Sequence, residues 1–484
     1  MYLCPVQTQG ELAEENSILR QENAFLKEEL AQLKRLIFGS KKERFIASDT
    51  AQTSLFETSD QEEAETEVEE VSYTREKSKK QGKAKRLLLP SHLLRKEEII
   101  EPEGLDKTNS ISLGEKVTEI LEYTPGKFYV RRIVRPTYKQ SDKIITADLP
   151  TLPIPNGNAG ASLLAFLLVS KFADHLPFYR QVQIFKREGI KIAESTITGW
   201  FSHVCRLLEP LYAHMLAQLK ETEYIQADET PIPVQSSHKK GATHKGYHWV
   251  YHLPREGIVV FDYQKSRSKS APEATLKDFS GCLQTDGYAA YDELGKDKAV
   301  VHLGCMAHAR RKFDQALDND KKRASYMLEQ IQKLYALERK ADKQEMTAKQ
   351  RLSLRQEQAN PILEEIKLWL KEQYGQVLPK SGIGKAIGYM LRQWDKLCRY
   401  TENGSWKIDN NGVENKIRPV ALGRKNYLFA GSHQAAQQAA MIYSFLGTCK
   451  INGVEPLNWL KTTLENIQDC KVNQIQSLLP KPKE

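Results

Sequence analysis

The chain contains few cysteines, and their spacing excludes a disulfide scaffold. Its 484 residues include seven cysteines, and no two of them form a Cys-x-x-Cys pair. An odd number of scattered cysteines is typical of a protein that folds in a reducing compartment. The seven are Cys4, Cys205, Cys282, Cys305, Cys398, Cys449 and Cys470.

A long hydrophobic run and a secretory leader are also missing. The longest apolar stretch, Ala161–Val169, is about half as long as a bilayer span. The first residues lack a basic start followed by an apolar run, which a signal peptide would have. These absences predict a soluble, cytoplasmic protein without a membrane partner.

The excess of positive charge is small for a chain of this length. Lys and Arg number 71 against 62 Asp and Glu, which gives a net charge of +9. This balance is compatible with a nucleic-acid partner and also with none. The length exceeds what one hydrophobic core usually supports, so several domains are expected.

The first segment, residues 9–45, carries a heptad repeat. One seam position holds Leu12, Leu19, Leu26 and Leu33, and the companion position holds Asn16, Asn23, Leu30 and Ile37. Leu and Asn in these positions are typical of a parallel two-stranded coiled coil, so a homodimer or higher oligomer is expected. An amphipathic helix packed on its own chain is the alternative. Residues 46–86, acidic and then basic, predict a disordered linker.

Two ordered segments are expected after the linker. Residues 87–152 predict a small β-rich module, with a turn at Pro125 and Gly126 between two strands. Residues 153–220 predict a helical region.

Within the helical region, Gly189 separates two helices, and Ser195 or Thr196 is expected to cap the second. This pattern is compatible with a helix-turn-helix whose second helix enters a DNA major groove. Two helices that only pack together give the same pattern.

From Tyr224 the hydrophobic pattern changes from helical to alternating. Five short apolar or alternating runs lie between Tyr224 and Cys305, with a helix-like PEATLKDF before the fourth. Three strands, a helix and two further strands predict a mixed sheet with helices packed on it. Charged helices are predicted for 314–400, and a C-terminal helical region and tail for 433–484.

Two aspartates occupy comparable places in this sheet. Asp228 lies in the strand YIQADET, where alternation puts Tyr224 and Gln226 on its face and Glu229 on the other. Asp286 lies towards the end of CLQTDGY, 58 residues after Asp228 (286 − 228). That interval accommodates two hairpin strands and a crossover helix, so the two strands are expected to be neighbours. Either aspartate, taken alone, also fits a cap or turn residue.

A third carboxylate lies much later in the chain. Glu414 falls in the first turns of a helix that starts near Asp409. Arg418 lies four residues later on the same face, where it could orient the carboxylate or meet a phosphate. A capped helix with an ion pair between Glu414 and Arg418 explains the same pattern without a catalytic role. The polar and basic residues suited to a DNA backbone are Arg424, Lys425 and Asn426.

Carboxylates that converge from separate elements suit hard divalent cations. Magnesium prefers oxygen ligands. Two magnesium ions about 4 Å apart can activate an oxygen nucleophile, stabilise a leaving oxygen and offset the charge on a phosphorus atom. A phosphodiester can be cut and rejoined in this way without a covalent enzyme intermediate.

Several longer motifs resemble the transposases of the insertion sequence 66 family. They are LVSKFADHLPFYRQ, ADETPIPV, LQTDGYAAY, CMAHARRKF, LPKSGIGKAIGYML, IDNNGVENKIRPVALGRKNYLFAGS and NGVEPLNWL. The resemblance runs from about Leu88 to about Leu460. The heptad segment, which ends in LKRLIFGSKKERF, is similar to the family's N-terminus.

The resemblance implies an α/β catalytic core over 221–432, with a ribonuclease H-like mixed sheet and a helical insertion at about 314–400. It implies that Asp228, Asp286 and Glu414 form a DDE triad that holds two magnesium ions. The implied reaction is nicking at the ends of a mobile element in double-stranded DNA, followed by strand transfer. Small accessory proteins of the element are further candidate partners.

The family's zinc module is the main departure. Its members usually carry two Cys-x-x-Cys knuckles before the core, but EPEGLDKTNSISLGEK and RPTYKQSDKIITADLP contain neither Cys nor His. No zinc is therefore predicted. Cys305 and His308 match the family's Cys-x-x-His motif, and because a structural zinc site usually takes four ligands, a core or backbone-orienting role is predicted for them.

A second departure concerns the basic residue that follows the Glu by seven positions in the broader DDE pattern. That position is Ala421, so Arg418, Arg424 and Lys425 are the candidates to replace its contacts. Two other functions also stay open. One is a catalytically inactive relic that binds or regulates DNA, and the other is a cellular nuclease that cuts without joining.

Overall fold

The computed structural model describes the greater part of the chain after residue 150 and short pieces before it. The described residues are 126, 128–130, 137–140, 143–146, 151–155, 157–236 and 241–481. The heptad segment 9–45 and the linker 46–86 lie outside them, as does most of the strand pair predicted around Pro125. The chain divides into two units, and Ser48–Leu149 is the smaller one.

The smaller unit contains an antiparallel hairpin. Strand β1 is Thr137–Gln140, and strand β2 is Lys143–Thr146. Both strands lie within the stretch RPTYKQSDKIITADLP, which holds no metal ligand of the knuckle type.

Among the described residues of the larger unit, three helices come first, as the sequence predicts for 153–220. They are α1 Ala161–Phe172, α2 Phe178–Arg187 and α3 Glu194–Glu221. Gly189 lies between α2 and α3 with φ +79°, a conformation that glycine adopts without a steric cost.

The predicted cap of α3 is wrong. The helix begins at Glu194, its N-cap is Ala193, and no side chain caps it. Ser195 and Thr196 therefore lie inside the first turn, where their hydroxyl groups come too late to cap it. Glu194 places a negative charge at the positive end of the helix dipole instead.

A five-stranded mixed sheet follows, as predicted. Its strands are β3 Tyr224–Gln235, β4 Thr243–Leu253, β5 Ile258–Gln264, β6 Gly281–Gln284 and β7 Val300–Leu303. The spatial order is β5-β4-β3-β6-β7. Strands β3, β4 and β5 pair antiparallel, whereas β3 pairs with β6 and β6 with β7 in parallel. The expectation that the strands near Asp228 and Asp286 are neighbours is confirmed.

Two local predictions in this region need correction. The helix before β6, α4, spans Ser270–Thr275 rather than PEATLKDF, because the chain turns at Asp278, which has φ +67°. Strand β6 ends at Gln284, so Asp286 lies two residues beyond the strand.

The residues after β7 are helical. The first six helices are α5 Met306–Gln315, α6 Lys321–Lys343, α7 Ala348–Leu354, α8 Asn360–Tyr374, α9 Gly382–Arg392 and α10 Trp394–Cys398. A π-helical turn, Arg355–Ala359, joins α7 to α8. The last three helices are α11 Asn411–Tyr427, α12 His433–Ile451 and α13 Pro456–Asn466. In the described part of the chain, no helix combines the length and apolar character that crossing a membrane requires.

The two faces of the sheet contribute to different hydrophobic cores. Ile225, Ala227 and Leu283 belong to a core shared with α1, α3 and α12. Tyr224 and Cys282, on the opposite face, belong to a core shared with the helices that follow β7. This second face carries the polar residues described next.

Candidate active site

The register of β3 and β6 places the two aspartates at matching positions. Gln226 and Gln284 are partners in the parallel pairing of these strands. Asp228 follows the first glutamine by two residues and Asp286 follows the second by two. Because β6 ends at Gln284 whereas β3 continues to Gln235, both aspartates lie at the level of the carboxyl end of β6.

The Asp228 carboxylate is largely buried and lies near other negatively charged side chains. Burial raises its pKa well above the usual range, and the carboxylates of Glu229, Asp286 and Glu414 raise the pKa further. The Glu229 backbone N–H donates to Asp228 Oδ1 over 2.8 Å. Asp286 and Glu414, from two other parts of the chain, therefore lie close enough for their charges to act on Asp228, an arrangement that a hard divalent cation would relieve.

The backbone around Asp286 is fixed by a tight turn and by helix α9. The Tyr288 N–H donates to Asp286 Oδ1 over 2.9 Å, and the Tyr389 hydroxyl donates to the Asp286 carbonyl over 2.7 Å. Gly287 has φ +86°, and a Cβ there would lie 3.1 Å from the Tyr389 hydroxyl. A side chain at this position would meet both strain and crowding.

Glu414 lies in the first turn of α11, and two side chains of α5 face it. His308 Nδ1 lies 3.6 Å from Glu414 Oε1, and an Arg311 guanidinium nitrogen lies 3.6 Å from Oε2. Sequence reasoning did not anticipate Arg311, because nothing in the spacing shows that α5 packs beside α11. Arg418, the residue expected to face Glu414, is exposed.

A buried hydrogen-bond network holds the segment that leads into α11. The Gln226 amide donates to Gln284 Oε1 over 2.9 Å and to the Asp409 carbonyl over 3.0 Å. The Gln284 amide donates to the Lys407 carbonyl over 2.8 Å. The Tyr224 hydroxyl donates to Gln284 Oε1 over 2.5 Å and accepts from the Lys407 N–H over 3.2 Å. The same sheet face therefore carries Asp228 and anchors the approach to Glu414.

Helix α11 approaches this network closely. A Cβ at Gly412 would overlap Gln226 Oε1. His252 Nδ1 lies 3.1 Å from the same oxygen. A side chain at position 412 would push the helix, and Glu414 with it, away from the sheet.

The helices after β7 form hydrogen bonds to residues 400–409, the segment that leads into α11. The Tyr335 hydroxyl of α6 donates to Asp409 Oδ2 over 2.7 Å. Arg355, which is fully buried, donates to Glu338 Oε1 over 2.8 Å. It also donates to three backbone carbonyls, those of Tyr400, Asn403 and Trp406, over 2.8, 2.7 and 2.9 Å.

Glu229 lies on the opposite face of β3, as alternation predicts, and forms a separate cluster. Arg267 Nε donates to Glu229 Oε1 over 2.7 Å, and the Tyr291 hydroxyl donates to Oε2 over 3.2 Å. The Arg267 guanidinium stacks on the Tyr288 ring, 3.8 Å from its centre. Because Tyr288 also holds Asp286, this cluster ties β3 to the Asp286 turn.

Cys305 and His308 lie at the start of α5 and reach α11. The Asn410 N–H donates to Cys305 Sγ over 3.4 Å, so the thiol contacts the first residues of α11. One ligand atom each from Cys305, His308 and Glu414 lie within 4.8 Å of one another.

The basic residues at the end of α11 differ in their surroundings. Arg424 donates a hydrogen bond to the Pro231 carbonyl of β3, whereas Lys425 is exposed. The Asn426 amide donates to the Leu422 carbonyl over 3.4 Å.

Fold and site together define an α/β protein that gathers carboxylates from two parallel strands and a later helix at one sheet edge. Comparison with known families identifies it further. Residues 156–438 match the family described as "Transposase IS66 family", and residues 444–480 match the "IS66 C-terminal element". Residues 25–97 match "Transposase C of IS166 homeodomain". The first match covers more than half of the chain, and the chain belongs to the IS66 family of transposases.

Similar proteins occur in Sinorhizobium fredii. The uncharacterized protein y4qI is 36% identical over 415 residues, which cover 81% of this chain and 76% of y4qI. The uncharacterized protein y4jD is 32% identical over 473 residues, which cover 92% of each chain.

Proposed function

We propose that this protein is a DDE transposase that nicks DNA at the ends of an insertion sequence and joins the freed 3′ ends to target DNA. The main support is the group Asp228, Asp286 and Glu414: burial raises the pKa of Asp228, and the charges of Asp286 and Glu414 raise it further. Membership of a transposase family supplies the reaction class.

The proposal includes a ribonuclease H-like core. The support is the sheet order β5-β4-β3-β6-β7, in which the second strand along the chain runs antiparallel to its two neighbours and the last two strands run parallel to the first. In this arrangement the first and fourth strands lie side by side in the middle of the sheet. Asp228 lies within the first of these strands, and Asp286 follows the end of the fourth by two residues.

The donor set suits magnesium, because all three groups offer carboxylate oxygens. Two ions are proposed, with Asp228 as the shared ligand and with Asp286 and Glu414 each holding one. When bound, magnesium would activate the attacking oxygen and stabilise the leaving oxygen of the phosphodiester. His308 and Arg311 orient the Glu414 carboxylate from α5, and the Gln226–Gln284 network holds the backbone before α11.

The proposed nucleic-acid surface extends from Glu414 along α11. Arg418 and Lys425 are exposed, so both are available to DNA phosphates. Arg424 and Asn426 lie beside them and are assigned to the same surface, with Arg424 also fixing α11 to β3. A homodimer or higher oligomer, formed through the heptad segment, would bring two element ends together, and the element's small accessory proteins are further proposed partners.

The test is a reaction with purified full-length protein and a labelled duplex that carries an element end. With Mg²⁺ we expect a nick that leaves a 3′ hydroxyl and then a joined strand-transfer product. Chelation should abolish both, and a duplex of scrambled end sequence should give neither. Binding without cleavage would instead indicate an inactive DNA-binding relic, and cleavage without joining would indicate a nuclease.

A further inference from the structure

Three different metal-binding groups meet where α5 packs beside α11. Cys305 offers sulfur, His308 offers an imidazole nitrogen and Glu414 offers a carboxylate oxygen, all within 4.8 Å of one another. Magnesium does not favour sulfur or nitrogen ligands, whereas borderline ions such as Zn²⁺ favour this mixture. The group therefore differs in chemistry from the all-carboxylate set proposed for magnesium.

The spacing agrees with tetrahedral coordination. With metal–nitrogen and metal–oxygen bonds of about 2.1 Å, two ligand atoms of a tetrahedron lie about 3.4 Å apart. His308 Nδ1 and Glu414 Oε1 are 3.6 Å apart. Small side-chain rotations would bring both atoms to coordination distance, and a water molecule could complete the tetrahedron.

Burial and the negative charge of Asp409 raise the pKa of the Cys305 thiol, whereas two backbone N–H groups directed at the sulfur lower it. Cys305 Sγ accepts hydrogen bonds from the backbone N–H of Asn410, at 3.4 Å, and from that of His308. It also lies at the N-terminus of α5, where the helix dipole favours negative charge. Thiolate sulfur is the form that binds metals, so an ion bound here would displace the proton of the Cys305 thiol.

The oxygen that faces this group is poorly satisfied. Glu414 Oε1 is buried and accepts no hydrogen bond from the described residues. The side chains of His308 and Glu414 are 20% and 27% exposed, whereas Cys305 is fully buried. An ion would therefore reach the group from the side of His308 and Glu414 and then bind the buried sulfur of Cys305.

We infer that Cys305, His308 and Glu414 form a second metal site, which binds a borderline transition-metal ion such as Zn²⁺. This proposal departs from the sequence-based prediction, which found only two candidate ligands, gave them a core role and predicted no zinc. Because Glu414 is also a ligand in the proposed magnesium site, occupancy by Zn²⁺ withdraws it from catalysis and inhibits nicking. That consequence, unlike the binding itself, rests on the proposed function.

Co²⁺ is the probe for binding, because its spectrum reports both geometry and sulfur ligation. Metal-free full-length protein titrated with Co²⁺ should develop intense visible bands of a tetrahedral site and a thiolate-to-cobalt band in the ultraviolet. Cys305→Ser should lose the ultraviolet band, and His308→Ala and Glu414→Gln should each weaken binding at least about tenfold. Cys398→Ser, which alters a partly exposed cysteine elsewhere, should leave both bands unchanged.

A weak octahedral spectrum without the sulfur band in wild-type protein would overturn the site. So would an unchanged spectrum in Glu414→Gln, a change that replaces a partly exposed side chain by one of the same shape. The readout does not depend on activity: Asp228→Asn should bind Co²⁺ normally whether or not the protein is a transposase. If nicking occurs, the Zn²⁺ concentration that halves it should rise at least about tenfold in Cys305→Ser.

Discussion

Gln226 and Gln284 are register partners on adjacent parallel strands, and the amide of the first donates to the second over 2.9 Å. Each glutamine precedes an aspartate of the candidate site by two residues. The same pair binds the backbone carbonyls of Asp409 and Lys407, which lead into the helix of Glu414. One buried contact thus links all three elements that carry the carboxylates.

Loss of this contact should impair catalysis more than DNA binding. In Gln226→Leu or Gln284→Leu, the carbonyls before α11 lose their donors, and Glu414 is no longer held in place. We expect nicking to fall by about 10-fold to 100-fold, which corresponds to about 1.4–2.7 kcal/mol and matches the cost of an unsatisfied buried polar group. Nicking rates measured against Mg²⁺ concentration, with end binding measured separately, test this. Gln235→Leu, at the exposed end of the same strand, should behave as wild type; full activity in both core variants would show that the network has no positioning role.

Gly412→Ala tests whether packing outweighs helix propensity in its effect on the stability of α11. Alanine in a helix interior is normally about 0.5–1 kcal/mol more stable than glycine. At position 412, however, the new Cβ would overlap Gln226 Oε1, so we expect lower stability and slower nicking. Gly199→Ala in α3 is the matched control, because no atom lies within 4 Å of its added Cβ and the change should stabilise the protein. Denaturant unfolding of the two variants should therefore give shifts of opposite sign, and a stabilised Gly412→Ala would contradict the close approach of α11.

Arg355→Met should be strongly destabilising. The substitution leaves three backbone carbonyls without their arginine donor and removes one of the two arginines that pair with Glu338, the other being Arg351 at 3.0 Å. A buried polar group left without a hydrogen bond typically costs about 1–3 kcal/mol, so the loss of three such bonds should cost at least about 3 kcal/mol. Lys396→Ala, which removes a partly exposed pair with Asp292 at 2.7 Å, should cost about 1 kcal/mol or less. Free energies of unfolding from denaturant titrations would show the difference; equal losses would mean that Arg355 does not anchor the segment.

Acidification should destabilise the protein through His248. Burial lowers the pKa of His248 to about 4 from its usual 6.5, so the folded state excludes a proton that the unfolded chain binds. Stability is therefore full above about pH 6.5 and falls as the pH drops towards 4, by up to about 1.4 kcal/mol per pH unit for this residue. His248→Gln keeps a donor for the Ala436 carbonyl and removes the titration. The unfolding midpoint should decrease more between about pH 7 and about pH 5 in wild type than in this variant. An equal decrease in both proteins would show that His248 does not cause the acid destabilisation.

The sequence predicted the sheet well because short apolar runs separated by turns correspond to strands that are buried over most of their length, as β5 is. The interval between Asp228 and Asp286 also predicted that β3 and β6 are neighbours, since it accommodates two hairpin strands and a crossover helix. The position of Glu414 followed from helix-start residues near Asp409. Each of these inferences depends on local pattern or chain length.

Contacts between distant helices could not be predicted in the same way. Arg311 faces Glu414 only because α5 packs beside α11, and Arg418, which has the favourable spacing, is exposed. The pairing of Gln226 with Gln284 needs the parallel register, which no hydrophobic pattern reveals. Ser195 and Thr196 looked like caps because of their residue type, although the helix begins one residue before them.

The central claim is that Asp228, Asp286 and Glu414 act together on one DNA phosphate through shared magnesium. The most direct measurement is the nicking rate of Asp228→Asn, Asp286→Asn and Glu414→Gln on a labelled element end, with Glu465→Gln as an exposed control. The account predicts that each of the three loses at least about 1,000-fold in rate, about 4 kcal/mol, while binding the end as wild type does. Wild-type cleavage by any one of the three would contradict it.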